Sequence, residues 1–225
     1  MIDVMAVGAH PDDVEIAMGA TLLKMHDAGR SILICTATNG EPTPRGSVET
    51  RMAEARASAD LLGADLRILD MPNRYLLDTL ENRRRIALVI REVKPRLLVC
   101  PYPGGDHPDH RVVSAITDAA RFYAKFTKTD FNDQPWPGEP HWAPRQLYYL
   151  NLGMQFQQVQ PSFIVDCSDY ADRKRDLLAC YRSQFGGDII DRAMQDHWGI
   201  KVGAAYGEAF FSRLPVVVDD LFGVR

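Results

Sequence analysis

The sequence predicts an α/β fold, a mostly parallel sheet with helices on both faces. Two observations carry this. Short, continuously apolar runs alternate with longer stretches of helical period. The joints between them are marked by Gly, Pro or capping residues. With 225 residues, the chain suits one sizeable domain covering 1–225 and is short for two.

Residues 2–7 form the first apolar run and end at Gly8-Ala9. Pro11 then suits a loop or the first turn of a helix. Over 14–28 the apolar residues Ile16, Ala20, Leu23 and Met25 recur at roughly helical spacing, and Gly29 is a natural stop. Residues 31–36 give a second strand, completing the strand–helix–strand unit of a parallel sheet. The breakers Gly40, Pro42, Pro44 and Gly46 mark a loop. Ser47 is a plausible N-cap for a helix carrying Met52, Ala55, Ala59 and Leu62, which ends at Gly63. Residues 66–69 read as a third strand. Ile86, Val89, Ile90 and Val93 trace another helix, and 97–100 a fourth strand. A helix follows His110 to about Lys125. Residues 127–144 lack periodicity and read as a long loop. Later strands fall at 147–150 and 163–165, and a helix at 169–181.

Composition narrows the function. Hydrophobic residues make up 46% of the chain and the formal net charge is −4, the profile of an ordinary globular protein. A mildly acidic chain has no electrostatic footprint for nucleic acid and no polybasic cluster for a membrane surface. No apolar run reaches the roughly 18 residues of a membrane span. The N-terminus has no basic segment followed by an apolar one, so no secretory signal is expected. Cys35, Cys100, Cys167 and Cys180 are scattered, which suits reduced structural thiols in a cytoplasmic protein.

Ligands in parallel sheets bind beyond the carboxyl ends of the strands. Two polar clusters fall there: His10-Pro11-Asp12-Asp13 after strand one, and His107-Pro108-Asp109-His110 after strand four. In a doubly wound order these strands are neighbours, so the clusters face each other. His10 and Asp13 reach one point from a single turn, and His110 supplies a third ligand. Catalytic zinc commonly takes three N or O ligands from the protein and leaves a fourth position for water, whose pKa it lowers towards about 7. Asp12 is then a spare carboxylate suited to general base work. His107, held by Asp109, can stay protonated and either stabilise an oxyanion or protonate a leaving amine. The plainer alternative makes Asp12 or Asp13 a helix cap and His107-Pro108-Asp109 a turn.

These residues carry a resemblance. Val7-Gly8-Ala9-His10-Pro11-Asp12-Asp13 with Glu15, together with His107-Pro108-Asp109-His110, resembles the LmbE-like or PIG-L family of metal-dependent N-acetylglucosaminyl deacetylases. The likeness extends to Thr38-Asn39-Gly40-Glu41, to Arg51 and Glu54, and to Tyr206-Gly207-Glu208-Ala209-Phe210-Phe211. That last segment is similar to the bacterial branch acting on a glucosaminyl-malate precursor of a low-molecular-weight thiol. In some members of that branch a mobile tyrosine stands two positions before the first histidine of the downstream motif; here Gly105 stands there. The resemblance implies a Rossmann-like fold. It implies that His10, Asp13 and His110 hold zinc, with iron(II) suited to the same ligands. It implies that Asp12 is the general base, that His107 stabilises the tetrahedral intermediate and that Asp109 orients His107. Arg51 would hydrogen-bond sugar hydroxyls of a small amino-sugar substrate. A homo-oligomer is also implied.

Asn39 and Glu41 lie on the metal's edge of the sheet and are candidate substrate contacts, the alternative being a turn residue and a solvated acid. Arg51 has its own alternative, an exposed charge near a helix start. Tyr206 and Glu208 are candidates to reach the pocket from the C-terminal region. Glu54 reads as a helix-face partner, and His26, His141 and His197 as histidines outside the site. Trp136 and Trp142 in the long loop suit sugar rings, although a surface flap is the slightly favoured reading. Two rival classes remain. Two histidines and a carboxylate also describe the iron(II) oxygenase triad. A non-catalytic nucleotide-binding module would need a GxGxxG phosphate cradle, which the turn after Gly8 lacks.

Overall fold

The computed structural model describes residues 1–42, 45–128, 135–150, 159–194 and 198–218. Among these, seven strands form one sheet in the order β3-β2-β1-β4-β5-β7-β6. The elements are β1 (Val4–Gly8), α1 (Asp13–Asp27), β2 (Ile32–Thr38), α2 (Val48–Leu62), β3 (Asp65–Met71), α3 (Leu80–Val93), β4 (Leu97–Pro101), α4 (Pro108–Tyr123), β5 (Arg145–Tyr149), β6 (Phe163–Asp166), α5 (Ala171–Ala179), α6 (Gly187–Ala193) and β7 (Gly207–Phe211). Strands β1 to β5 pair in parallel, and β7 runs antiparallel to both β5 and β6.

The alternation of side chains divides the core in two. Met5, Val7, Leu33, Cys35, Leu98 and Cys100 face a layer built by α3 and α4. Val4, Ala6, Ile32, Ile34 and Val99 face α1, with Leu62 of α2 and Leu177 of α5 completing that layer. Both faces of the central strands are therefore buried, which explains why β1 and β2 read as unbroken apolar runs. The expected pairing of strands one and four is present: Val4, Met5 and Ala6 align with Leu97, Leu98 and Val99. The helix caps agree with the sequence at α2. Ser47 Oγ accepts from the Thr50 N–H, and Gly63 closes the helix at φ 76°.

Four expectations need correction. The helix expected after His110 begins at Pro108, so His110 lies in its first turn. Strand β7 has no counterpart in the sequence reading, because this short strand, paired antiparallel to β5 on one side and β6 on the other, carries little period-two signal. The 169–181 helix resolves into a short 3₁₀ turn at Ser168–Tyr170 followed by α5. Finally, α1 is broken: Met18 has φ −146° and ψ 19°. The break leaves backbone groups without intrahelical partners, and a buried ion pair takes them up. Lys174 Nζ donates to the Ile16 carbonyl at 2.6 Å. Glu208 accepts from the N–H groups of Ala20 and Thr21 at 3.1 and 2.7 Å, and from Lys174 at 2.7 Å. No helix among the described residues is long and apolar enough to cross a membrane.

Candidate metal and catalytic site

Both polar clusters sit at the carboxyl ends of β1 and β4. Gly8 ends β1 where the chain turns back on itself. A β carbon there would meet Asp13 Cβ at 3.2 Å and Val14 Cγ2 at 3.3 Å, so glycine lets α1 start this close to the strand without displacing either residue. The turn then delivers Asp13 to a defined place. Its Oδ2 accepts from the N–H groups of Ala9 and His10, both at 2.9 Å. Its Oδ1 lies 3.0 Å from His110 Nε2, and Oδ2 lies 3.4 Å from His10 Nδ1. One ligand atom from each of His10, Asp13 and His110 falls within 4.8 Å of the others.

The donor set suits a metal. Two imidazole nitrogens and one carboxylate oxygen converge, with Asp13 buried. Burial alone would raise the Asp13 pKa, but His110 and His10 outweigh it and hold the carboxyl well below the usual range. Burial opposes charge on His10, yet Asp13 and Asp12 raise its pKa to about 9. Such a cluster draws a cation, and a divalent ion would take the place of these protons. A second set, His10, His107 and Asp109, meets the same spacing.

Asp12 occupies the N-cap position of α1 without capping it. Its side chain makes no capping hydrogen bond, and its backbone is left-handed at φ 114°. That conformation is costly for a residue with a β carbon and recurs at functional sites. Burial and the neighbouring Asp13 charge push its pKa well above the carboxylate norm, although Arg51 opposes them. A raised pKa fits a general base operating near neutrality. The capping alternative for Asp12 and Asp13 is thus not what the structure shows.

The second cluster differs from expectation in one respect. Asp109 does not hold the His107 side chain. Its Oδ2 lies 3.2 Å from His10 Nε2 and accepts from the Arg74 N–H at 3.0 Å. His107 instead caps α4, its Nδ1 accepting from the Asp109 N–H at 3.2 Å. The physical reason is helix geometry: His107 is the N-cap, so its ring folds back on the first turn, while the Asp109 side chain points across to the β1 turn. Burial, His110 and His10 lower the His107 pKa, and its Nδ1 faces the Asp109 N–H as acceptor. The three rings cluster at 4.6–5.4 Å between centroids.

The proposed substrate contacts separate. Asn39 lies on the site's edge of the sheet, where it accepts from the Glu41 N–H and donates to Asp70 Oδ1 at 2.7 Å. Arg51 is buried, not an exposed charge, and its hydrogen bonds go to the Pro11 and Gly40 carbonyls and to Asp12. Tyr206 sits beside Lys174. It packs with Ala20 and Cys167 beyond the break in α1, its ring 5.2 Å from Lys174 Nζ. Glu208 is engaged by Lys174 and the broken helix. Glu54 accepts from the Ser183 N–H and hydroxyl. Trp136 and Trp142 lie at the opposite end of the sheet. Their segment is held by Arg91, which donates to the Pro137 and Gly138 carbonyls, and by His141, which bonds to the Pro95 carbonyl at 2.8 Å. The aromatics stack on Arg84, Arg91 and Arg121, so they do not shape the pocket. His197 lies outside the described residues.

Sequence reasoning missed the groups that support the site from behind. Glu15, quoted only as part of a motif, is buried with Oε1 accepting from Tyr181 and Ser58. Its Oε2 has no hydrogen-bond partner among the described residues. Arg74 acts through its backbone N–H, at φ 65°, and no residue-type signal reveals that.

The fold and site together define an α/β protein with a two-histidine, one-carboxylate centre at its topological switch point. The chain belongs to the PIG-L family, whose model, described as GlcNAc-PI de-N-acetylase, matches residues 5–121. It is 28% identical over 222 residues to a diacetylchitobiose deacetylase of Thermococcus kodakarensis, covering 91% of this chain and 80% of that one. The crystal structure of the conserved protein TT1542 from Thermus thermophilus superposes with a TM-score of 0.86 at 33% identity, covering 97% of each chain. A 4-carboxy-2-hydroxymuconate hydratase from Pseudomonas putida shares the fold, with a TM-score of 0.82 at 19% identity over 98% of this chain and all of the other.

Proposed function

We propose that this chain is a metal-dependent hydrolase that removes the N-acetyl group from an N-acetylglucosamine-type conjugate, releasing acetate and a free amine. The observation that carries the reading is the placement of the Asp12 carboxylate, 13% exposed, beside the convergent His10, Asp13 and His110. Family membership and the Thermococcus deacetylase support it. Zinc suits two imidazoles and one carboxylate with a position left open, and iron(II) fits the same ligands.

A metal held there supplies Lewis acidity towards the acetyl carbonyl and lowers the pKa of water. The chain's own residues do the rest. Asp12 accepts the proton from the attacking water as its oxygen bonds to the acetyl carbon. His107, whose Nδ1 is taken up by the Asp109 N–H, donates from Nε2 to the oxygen where negative charge develops. Asp109 holds the far nitrogen of His10, which fixes the ring and makes it a better ligand. Asp12 then returns its proton to the nitrogen, the C–N bond breaks, and acetate and amine leave.

The test is amine and acetate release across N-acetylglucosamine, its malate and inositol conjugates, and chitobiose, with metal content measured on the same sample. One of these should yield equal amounts of acetate and amine without consuming oxygen. Folded, metal-loaded protein that releases neither from any of them contradicts the reading. The hydratase likeness shows that this fold also hosts other chemistry, which is why product analysis and not fold decides.

A further inference from the structure

We propose that Thr38 is a positioning residue for the metal ligand Asp13. Its hydroxyl fixes the plane of the Ala9–His10 peptide, and that peptide holds the Asp13 carboxylate. The inference rests on reading His10, Asp13 and His110 as a metal centre, and only for its metal-binding test.

Thr38 is the last residue of β2 and is buried. The paired register of β1 and β2 runs as far as Gly8 opposite Thr36. Beyond it, Thr38 grips the turn that follows β1 twice. Its backbone N–H donates to the Ala9 carbonyl at 3.0 Å, and its hydroxyl donates to the same carbonyl at 2.8 Å. The hydroxyl also accepts from the Gly40 N–H at 3.2 Å. A carbonyl can only accept and an amide N–H can only donate, so the direction of the hydroxyl proton is fixed. The Ala9 carbonyl and the His10 N–H belong to one planar trans peptide and point in opposite directions. Holding the carbonyl therefore aims the N–H. That N–H donates to Asp13 Oδ2 at 2.9 Å, as does the N–H of Ala9. The other oxygen of Asp13 is left facing His110 Nε2 at 3.0 Å.

The result is a chain with one direction. It runs from the Gly40 N–H to the Thr38 hydroxyl, from that hydroxyl to the Ala9 carbonyl, and across the peptide from the His10 N–H to Asp13. Hydrogen bonds in such a chain polarise one another. Thr36, two residues earlier in the same strand, is the internal comparison. It is also buried, yet its hydroxyl has no hydrogen-bond partner among the described residues. At Thr36 the branched shape alone suits the strand, and the buried hydroxyl is a cost. At Thr38 the hydroxyl has both a donor and an acceptor, and both lie in turns at the carboxyl edge of the sheet.

The experiment compares wild type with Thr38→Val, Thr38→Ser and Thr36→Val. Zinc Kd is measured on the full chain by competition with a chromophoric chelator, and hydrogen exchange of the His10 amide is followed in the metal-free protein. Valine keeps the shape of threonine and removes only the hydroxyl. Groups behind a metal ligand carry about 10–100-fold in affinity, and Thr38 acts through a peptide, so Thr38→Val should weaken zinc binding by about tenfold. Thr38→Ser should recover most of that loss, and Thr36→Val should bind zinc as wild type does. Exchange of the His10 amide should quicken in Thr38→Val and stay unchanged in Thr36→Val. Where Thr38→Val does not fold, Thr38→Ala carries the same two expectations. Unchanged zinc affinity on loss of the Thr38 hydroxyl, or no recovery in Thr38→Ser, would overturn the proposal. An equal loss in Thr36→Val would overturn it in favour of a general effect of the strand. Folded wild type that takes up no zinc would count against the metal centre alone. Exchange of the His10 amide then decides, and an unchanged rate in Thr38→Val refutes the proposal.

Discussion

Two charged clusters meet helix α1, a fully buried one at and beyond its break at Met18 and a partly buried one at its start, and they are built on opposite principles. Below the break, Lys174 and Glu208 are 1–2% exposed and form a closed circuit. Each charge is paired, and further hydrogen bonds go to backbone groups that the break sets free. Burial opposes the Lys174 charge, but Glu208 raises its pKa above the ordinary value. Above the break, Asp12, Asp13, Glu15 and Asp109 crowd together with three imidazoles. That cluster keeps a left-handed Asp12 and a Glu15 oxygen that has no hydrogen-bond partner among the described residues. The lower cluster uses its charges to hold the chain, and the upper one leaves them poised for something brought from outside. That difference supports reading the upper cluster as the functional one, independently of any relative.

Substitutions should separate the two clusters cleanly. Asp12→Ala should give the largest effect on chemistry. General base catalysis contributes about 10²–10⁴-fold, so kcat should fall by that order while metal content stays stoichiometric. Near wild-type deacetylation by this variant would remove Asp12 from the mechanism. Lys174→Ala should do the reverse. Removing one partner of a buried pair costs about 3–5 kcal/mol, which lowers Tm by about 6–20 °C in a chain of this size. Metal content per folded molecule should not change. Thermal unfolding and elemental analysis of one preparation check both, and a normal Tm would show that the circuit is not needed for stability. Smallest of all should be Trp142→Ala. Its half-exposed ring stacks on Arg121 at the far end of the sheet. An exposed cation–π contact is worth about 0.5–1 kcal/mol, and kcat/KM should be unaffected. A marked loss of kcat/KM would mean that this segment reaches the substrate after all.

The central architecture was legible because its signals are local. Gly8 before His10, Ser47 at a cap and Gly63 at a stop each report backbone geometry directly in residue type. Adjacency of β1 and β4 followed from the rules of parallel sheets, and that alone brought His10, Asp13 and His110 together. What escaped depends on tertiary contact. Whether Asp109 turns to His107 or to His10 is decided by a helix starting at Pro108 and by a backbone N–H from Arg74. Tyr206 joins the Lys174 cluster because the break at Met18, invisible in the periodicity, opens a place for β7 to dock against α1. Chemistry suited to sugars singles out the tryptophans, yet α3 and α4 carry them to the wrong end of the sheet.

The most direct test of the account is acetate release before and after metal removal, with metal content recorded at each step. The account predicts that chelation abolishes release, that one equivalent of zinc or iron(II) per chain restores it, and that Asp13→Ala protein neither binds that equivalent nor recovers. Undiminished acetate release from metal-free protein, or full activity in the Asp13→Ala variant, would contradict it.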